Sequence, residues 1–289
     1  MSTPARATDI VFTRHGARRG LAWLVDAYAM FKQARLSWLV LVALYYVMML
    51  ALDKVPYAAH ILVPLLKPVF AVGLLAAAWT QERGGRPSVS HLFQGFRANL
   101  RTLIPLGIVF VAGITVAVLV TSLFDGGLLI DLMSTETKPA VESGADAKPR
   151  EGPSTEELIA SGRLQTSLLI LMVLALPTIL ALWFAPALVV FQDAGPSAAL
   201  GASLRAAIAN WRPLVVYALA VLLFGALLPL VVAKLAFMIF PSQATVDVAR
   251  VALLAYGLVF AATLHISDYV SYRDIFHAGE TLAPIGQRE

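Results

Sequence analysis

The sequence predicts an all-α integral membrane protein with six transmembrane helices, and three observations support that prediction. Of the 289 residues, 59% are hydrophobic and 14% are charged, whereas a soluble domain carries about 25% charged residues. Six apolar runs are each long enough to cross a hydrocarbon core of about 30 Å, at a rise of roughly 1.5 Å per residue. The loops between these runs alternate between arginine-rich and arginine-poor segments.

The six runs define the predicted spans, and we expect them to form a single integral membrane domain over residues 1–289. They lie at about residues 37–53, 60–80, 102–124, 166–191, 214–240 and 251–270. The fourth and fifth spans reach about 26 residues, so they must tilt, kink or extend past the bilayer. Pro177, Pro186 and Pro229 lie inside them, and each favours a kink because it removes a backbone donor.

The distribution of Lys and Arg predicts the orientation. Fourteen of these residues lie in the N-terminal segment, the loops at 81–101 and 192–213, and the C-terminal tail, against six in the other loops. Basic residues concentrate in cytoplasmic loops, so both termini are predicted to be cytoplasmic. Residues 1–35 contain no apolar run of the kind that a secretory signal needs, and we expect the N-terminus to be retained.

The loop at about residues 125–165 is the one long stretch between spans. It is rich in acidic residues, and its middle part is also rich in Ser, Thr, Gly, Ala and Pro. Such a composition cannot bury enough apolar surface to offset the entropy of ordering. We expect a mobile, solvated, external linker, with a binding role as the alternative.

Three segments lie on the side of the membrane that carries the arginine-rich loops, which we call the arginine side. They are predicted to form cytoplasmic interfacial amphipathic helices. The apolar residues that recur there at helical spacing are Leu21, Leu24, Tyr28 and Phe31 in the first, Val89, Leu92, Phe93, Phe96 and Leu100 in the second, and Leu200, Leu204, Ile208 and Trp211 in the third. Each segment precedes two spans, and the units begin near about residues 17, 87 and 196. We expect three parallel repeats of an interfacial helix plus a hairpin; convergent loop chemistry is the alternative.

Short motifs in a fixed order, spread over nearly the whole chain outside the acidic loop, carry a resemblance to a known family. The motifs are Arg18–Leu24, Gly85–Pro87, His91–Arg97, Phe184–Val189, Ala198–Leu200 and Tyr269–Phe276. In these the chain resembles a family of uncharacterised bacterial inner-membrane proteins, which resemble in turn the membrane domain attached to some glycerophosphoryl diester phosphodiesterases. The resemblance implies a bacterial inner-membrane location and supplies no catalytic residues. The phosphodiesterase domain itself does not fit into the short soluble segments.

The sequence lacks the short motifs that mark nucleotide-binding, catalytic or metal-binding sites. It has no nucleotide-binding glycine loop, no nucleophile elbow and no cysteine. The histidines share no metal-ligand spacing, apart from His265 and Asp268 at i, i+3. We therefore expect no enzyme, no metal, no cofactor and no nucleic-acid partner.

Ionisable residues inside spans are costly and mark candidate binding positions. The four candidates are Lys234, His265, Asp268 and Tyr272. The side chain of Lys234 leans away from the nearer water, so we expect a wet cavity or a carboxylate partner, with Asp53, Asp125 and Asp247 at the right depth.

The other three candidates share one face of span six with Tyr269, and a structural anchor at the membrane boundary is the alternative to a ligand site. Asp268 lies at about the inner edge of the hydrocarbon, where an unpaired carboxylate would be protonated or would seek a cation. It is predicted to pair with a cation at that depth: Arg97, Arg101, Arg212 or Arg273.

Two functions follow from this sequence. The first is a non-catalytic accessory or structural protein of the inner membrane that acts through membrane lipids, a membrane-protein partner or a second copy of the chain. The alternative is a transporter or flippase-like handler of a small amphiphile or lipid, with Lys234 and the polar face of span six lining its path. A transporter needs polar groups that converge on a midplane cavity, often beside broken helices.

The charge asymmetry yields a topology prediction. Cysteines introduced as Ser143→Cys and Ser242→Cys should react with a membrane-impermeant thiol reagent in intact spheroplasts. Ser88→Cys and Ser197→Cys should react only after the membrane is opened. Because the chain has no native cysteine, each signal reports one position, and labelling of Ser88→Cys from outside would reverse the orientation.

Overall fold

The computed structural model describes residues 10–54, 59–97, 100–137 and 162–277, and this part of the chain is helical without a β-strand. The helices are α1 (Arg19–Gln33), α2 (Arg35–Asp53), α3 (Ala59–Glu82), α4 (Gln94–Arg97), α5 (Leu100–Asp125), α6 (Leu128–Thr137), α7 (Arg163–Trp183), α8 (Ala185–Gln192), α9 (Pro196–Ala209), α10 (Trp211–Leu222), α11 (Leu228–Ile239) and α12 (Gln243–Phe276). A 3-10 turn, Val89–Phe93, precedes α4, and a π-helical segment, Leu223–Leu227, joins α10 to α11.

Six helical stretches are long and apolar enough to span a membrane, which confirms the predicted all-α fold with six spans. They are Arg35–Asp53, Ile61–Glu82, Leu100–Asp125, Arg163–Gln192, Trp211–Ile239 and Gln243–Phe276. The last is 34 residues long and exceeds its predicted bounds at both ends. Its start is fixed by Ser242, whose Oγ accepts a hydrogen bond from the Thr245 amide at 3.2 Å. A hydropathy pattern does not register such a cap, because the capped turn is polar.

The fourth span is interrupted where Pro186 follows α7. The helix breaks at Phe184, and a buried serine from α9 bridges the gap. Ser203 Oγ accepts a hydrogen bond from the Phe184 amide at 3.0 Å and donates one to the Leu180 carbonyl at 2.9 Å. Two of the backbone groups at the break, the Phe184 amide and the Leu180 carbonyl, are therefore paired through one side chain, which lowers the cost of a buried break in a spanning helix.

The chain separates into two compact units, Met1–Ile108 with Leu180–Glu289, and Val109–Ile179. The first unit holds the main core, in which the largest fully buried side chains include Trp23, Trp38, Phe70, Phe184, Leu188, Ile266, Tyr269 and Tyr272. The second contains α6, the C-terminal part of α5 and the N-terminal part of α7. The units share these two continuous helices, so the predicted single membrane domain stays a prediction.

A helix lies inside the segment that was predicted to be a loop. Helix α6 starts after two glycines, Gly126 and Gly127, with φ values of +70° and +87°. The Asp125 carboxylate accepts hydrogen bonds from the Gly127 and Leu129 amides at 2.9 and 3.4 Å, and the apolar residues that follow continue as a helix. Residues 128–137 are therefore helical where a loop was predicted, and residues 138–161 of the predicted mobile loop lie outside the described residues.

The three short arginine-side elements each precede two spans, in the predicted order, but the apolar stripes do not coincide with the packed faces. In α1, Leu24 and Phe31 are buried whereas Leu21 and Tyr28 are 43% and 47% exposed. The second element is a 3-10 turn and one helical turn rather than one helix, and of its predicted stripe only Leu92 is buried among the described side chains.

Small residues form the packed face of the third element. Its buried residues are Ala198, Ala199, Ala202, Ser203, Ala206 and Ala207, while Ile208 and the neighbouring Trp211 are exposed. Helices in lipid approach closely through small residues, since lipid is as apolar as a large side chain and gives that side chain no reason to be buried. The equivalence of the three units as structural repeats stays a prediction.

Helix α1 packs on α10 at a glycine, and this contact yields a prediction. A Cβ atom built on Gly20 would lie 2.0 Å from the Pro213 carbonyl oxygen and 2.8 Å from the Tyr217 amide nitrogen, which are backbone atoms that cannot rotate away. Gly20→Ala should therefore lower the free energy of unfolding by about 1–3 kcal/mol. Gly16→Ala is the control, because a Cβ there meets no atom within 4 Å. Equal melting temperatures in detergent for both variants would contradict this packing.

Candidate functional site

Of the four predicted binding residues, Lys234 lies apart from the other three. It is exposed on α11, and the hydrogen bond from the Tyr256 hydroxyl to the Phe224 carbonyl, 2.5 Å, sets the register between the helices of this hairpin. At roughly 1.5 Å per residue, this register places Lys234 about 33 Å from Asp268 along the helix axes.

Two of the predicted carboxylate partners of Lys234, Asp53 and Asp247, lie in the same compact unit, and neither binds it. Within the described residues of that unit Lys234 makes no ion pair, and Asp247 contacts Arg250 at 3.4 Å and accepts a hydrogen bond from Gln243 at 3.1 Å. This partner prediction was wrong because an i, i+3 neighbour on its own helix reaches Asp247 more easily than a lysine from another helix.

Tyr272 lies in the packed core rather than on a path. Its ring stacks against Phe191 at 5.4 Å and Phe276 at 5.3 Å between ring centroids. Its hydroxyl forms a hydrogen bond with His277 Nε2 at 2.9 Å. The contact with Phe191 anchors the last turns of α12 to α8. Tyr272 therefore acts as a structural anchor, which is the alternative to a ligand site.

His265 and Asp268 come together as a polar cluster with aromatic walls. His265 Nδ1 lies 3.9 Å from Asp268 Oδ2, and the imidazole ring lies 5.4 Å from the ring of Tyr45 and 6.4 Å from that of Tyr46. Tyr217 of α10 joins them through Ser267, the residue before Asp268, whose Oγ lies within hydrogen-bond distance of the Tyr217 hydroxyl. We call His265, Asp268 and the three tyrosines, contributed by α2, α10 and α12, the tyrosine–aspartate cluster.

The chemistry open to this cluster follows from its exposure and hydrogen bonding. The Asp268 side chain is 50% exposed, whereas His265 Nε2 is buried without a hydrogen-bond partner among the described residues. The Tyr217 hydroxyl is held by Ser267 Oγ at 2.7 Å. An accessible carboxylate beside an imidazole and phenols can accept a proton or bind a cation.

The prediction that Asp268 pairs with an arginine was wrong. Within the described part of the chain Asp268 contacts no arginine; His265 Nδ1 lies 3.9 Å from its Oδ2, and Arg273 pairs with Glu82 of α3 instead. The Tyr269 hydroxyl donates to the same Glu82 carboxylate. Tyr269 and Arg273 are four residues apart and share the helix face toward α3, while Asp268 points about 100° away from Tyr269.

Sequence reasoning missed the most connected carboxylate, that of Asp274. Arg19 donates two hydrogen bonds to it, from Nε to Oδ2 at 2.7 Å and from a terminal nitrogen to Oδ1 at 3.1 Å. Trp23 Nε1 donates to Oδ2 at 2.9 Å, and His15 Nε2 lies 3.6 Å from the same oxygen. The hydrogen bond with Asp274 raises the pKa of the Arg19 guanidinium, which stays charged.

The segment before α1 extends this network. The Thr13 amide donates to the Ile275 carbonyl at 2.7 Å, and buried Asn210 accepts from the His15 amide at 2.8 Å while donating to the Thr13 carbonyl at 3.0 Å. We call His15, Arg19, Trp23, Asn210 and Asp274 the terminal clasp. A signal for it was present, because two motifs of the family resemblance, Arg18–Leu24 and Tyr269–Phe276, contain three of its five residues.

Across residues 10–54, 59–97, 100–137 and 162–277, no three His, Asp or Glu side chains come close enough together to hold a metal ion.

Comparison with known proteins agrees with a membrane protein of this length. The chain is similar over 272 residues to a probable inner membrane protein of Burkholderia thailandensis; the two are 28% identical, and the alignment covers 93% of this chain and 94% of the relative. No protein-family model matches the chain, and no solved structure matches it. The resemblance to the membrane domain of phosphodiesterases stays a prediction.

The terminal clasp predicts a large effect of one substitution. Asp274→Asn keeps the shape of the side chain but removes the charge that Arg19 and Trp23 share, at a position only 15% exposed. We expect a loss of about 1–3 kcal/mol in the free energy of unfolding, measured by denaturation in detergent.

Asp26→Asn is the matched control for this experiment. Asp26 also contacts Arg19, at 3.4 Å, but its side chain is 44% exposed, so its loss should cost less than about 1 kcal/mol. Similar losses for the two variants would show that Asp274 has no special role.

Proposed function

We propose that this chain is a non-catalytic accessory protein of the bacterial inner membrane that holds a fixed cytoplasmic platform for a membrane-protein partner, a second copy of the chain or membrane lipids. The supporting observation is how the charged groups at the arginine-side ends of the spans are used. Asp274 binds Arg19 and Trp23, and Glu82 binds Arg273 and Tyr269. These carboxylates tie helices to each other, which is what a scaffold needs.

The arrangement of the predicted path residues also favours a scaffold. A transporter of the kind predicted would bring its polar groups together near the middle of the membrane. Lys234 instead lies on α11, far from Asp268 along the helix axes, and Tyr272 is packed among aromatic rings. Of the four candidates, His265 and Asp268 are the pair that meets.

The tyrosine–aspartate cluster supports a transporter or flippase-like protein as the second candidate function. Its carboxylate is half exposed within a span, where an ionisable group is costly unless it is used. Helix irregularities of the kind found in transporters also occur in the chain, at Phe184 and in the π segment Leu223–Leu227.

Complementation separates the two functions. Asp268→Asn and His265→Gln alter the cluster while keeping side-chain volume, and each is introduced into a strain that lacks the chromosomal gene and shows a fitness defect. Under the accessory role, both variants should restore fitness to the wild-type level as long as they keep the wild-type melting temperature. Asp274→Asn should lose fitness in proportion to its loss of folded protein.

The opposite result would favour transport. Loss of fitness in Asp268→Asn at an unchanged melting temperature and membrane abundance would overturn the accessory role, because the chemistry of the cluster would then matter apart from the fold. Asp247→Asn is the control, since it makes the same change on the same helix at a side chain that is 58% exposed.

A further inference from the structure

A cleft opens where α1 meets α2 and where α3 ends. It has a volume of about 510 Å³. Residues 33–37, at the junction of α1 and α2, line one side, and the residues at and after the end of α3 line the other: Gln81, Gly84, Gly85 and Arg86. Both sides belong to the same compact unit. We call it the arginine cleft, after the two arginines, Arg35 and Arg86, in its lining.

The wall of the arginine cleft is held in place by a buried amide. Gln81 is 7% exposed; its Oε1 accepts a hydrogen bond from Trp38 Nε1 at 2.5 Å, and its Nε2 donates to the Met30 carbonyl at 2.6 Å. One side chain therefore fixes the end of α1, the start of α2 and the end of α3 relative to each other. The cleft is a built feature of the fold rather than a gap between loose loops.

The cleft carries positive charge that the protein does not neutralise. Among the described residues, no carboxylate lies within 4 Å of the guanidinium of Arg35 or Arg86, and the nearby Glu82 is bound by Arg273 and Tyr269. Helix α2 begins at Arg35 without a side-chain cap, so its first amides add partial positive charge at the same place. Two arginines with free donors favour an anion that accepts in a fork, such as a phosphate.

The position of the cleft at the ends of two spans is the level at which lipid phosphates are expected. It lies at the boundary of two spans, since α2 starts at Arg35 and α3 ends at Glu82. Leu36, in the lining, is 75% exposed and offers apolar surface beside the charges. A ligand with a phosphate and an attached hydrocarbon chain matches both parts of this lining.

We propose that the arginine cleft binds a phosphate-bearing anion, either the headgroup of an anionic phospholipid or a free phosphate. The site is separate from the accessory role, because its arginines belong to neither the terminal clasp nor the tyrosine–aspartate cluster. Arg35 and Arg86 each donate to phosphate oxygens, and the first turn of α2 supplies the backbone amides.

The test uses the full-length protein, delipidated in neutral detergent, with phosphatidylglycerol, phosphatidylcholine or inorganic phosphate as the probe. Native mass spectrometry and melting temperature report binding. The double variant Arg35→Gln/Arg86→Gln should bind phosphatidylglycerol or phosphate about tenfold more weakly than the wild type. The matched control is Arg97→Gln/Arg101→Gln, which removes the same charge from the same side of the protein outside the cleft and should bind as the wild type does.

A second variant guards against misfolding. Ser37→Asp puts a carboxylate into the cleft in the first turn of α2, where an acidic residue favours the helix, so it should fold normally and still lose binding. Arg-dependent binding of phosphatidylglycerol alone identifies a lipid headgroup, and Arg-dependent binding of inorganic phosphate identifies a free anion. Equal binding by the cleft variants and the control overturns the proposal. So does a wild-type protein that binds neither phosphatidylglycerol nor inorganic phosphate.

Discussion

The carboxylate of Asp274 fixes how the beginning and the end of the described chain meet. Arg19 and Trp23 both donate to it, and because they are four residues apart on one face of α1, a single acceptor sets both the position and the rotation of that helix. This rotation turns Gly20 toward the backbone of α10. Asn210, at the end of α9, then binds the segment that leads into α1. Four helices therefore depend on one charge-assisted contact.

The close approach of these helices explains why large apolar residues lie outside and small ones inside. Water drives large apolar side chains into a soluble core, but lipid surrounds them at no cost, so packing and hydrogen bonds decide which face is buried. Helix α9 buries its alanines and Ser203, while Ile208 faces outward. The predicted apolar stripes were assigned to the bundle or the bilayer from helical spacing alone, and spacing does not tell which of the two a side chain faces.

The sequence was sufficient to predict the spans, because the bilayer imposes a minimum length on every apolar run. It was not sufficient for the clasp, since Arg19 and Asp274 are 255 positions apart and nothing local pairs them. The break near Pro186 could be expected from the proline, but Ser203, which satisfies it, could not. The partner of Asp268 was predicted from its depth in the membrane, and depth does not say in which direction a side chain points around the helix axis. His265, one turn away, was the nearer group.

The rotation of α12 about its own axis also explains why Asp268 differs from the other acids in and beside the spans. Tyr269 and Arg273 turn one face of α12 toward Glu82, and Asp274 turns another toward α1, so Asp268 is held toward the tyrosines of α2 and α10. Among the described residues its carboxylate accepts no hydrogen bond within 3.5 Å, and His265 Nδ1 lies 3.9 Å from its Oδ2. An acid whose position is imposed by well-paired neighbours, and which itself is left loosely paired in a span, keeps its affinity for a proton or a cation.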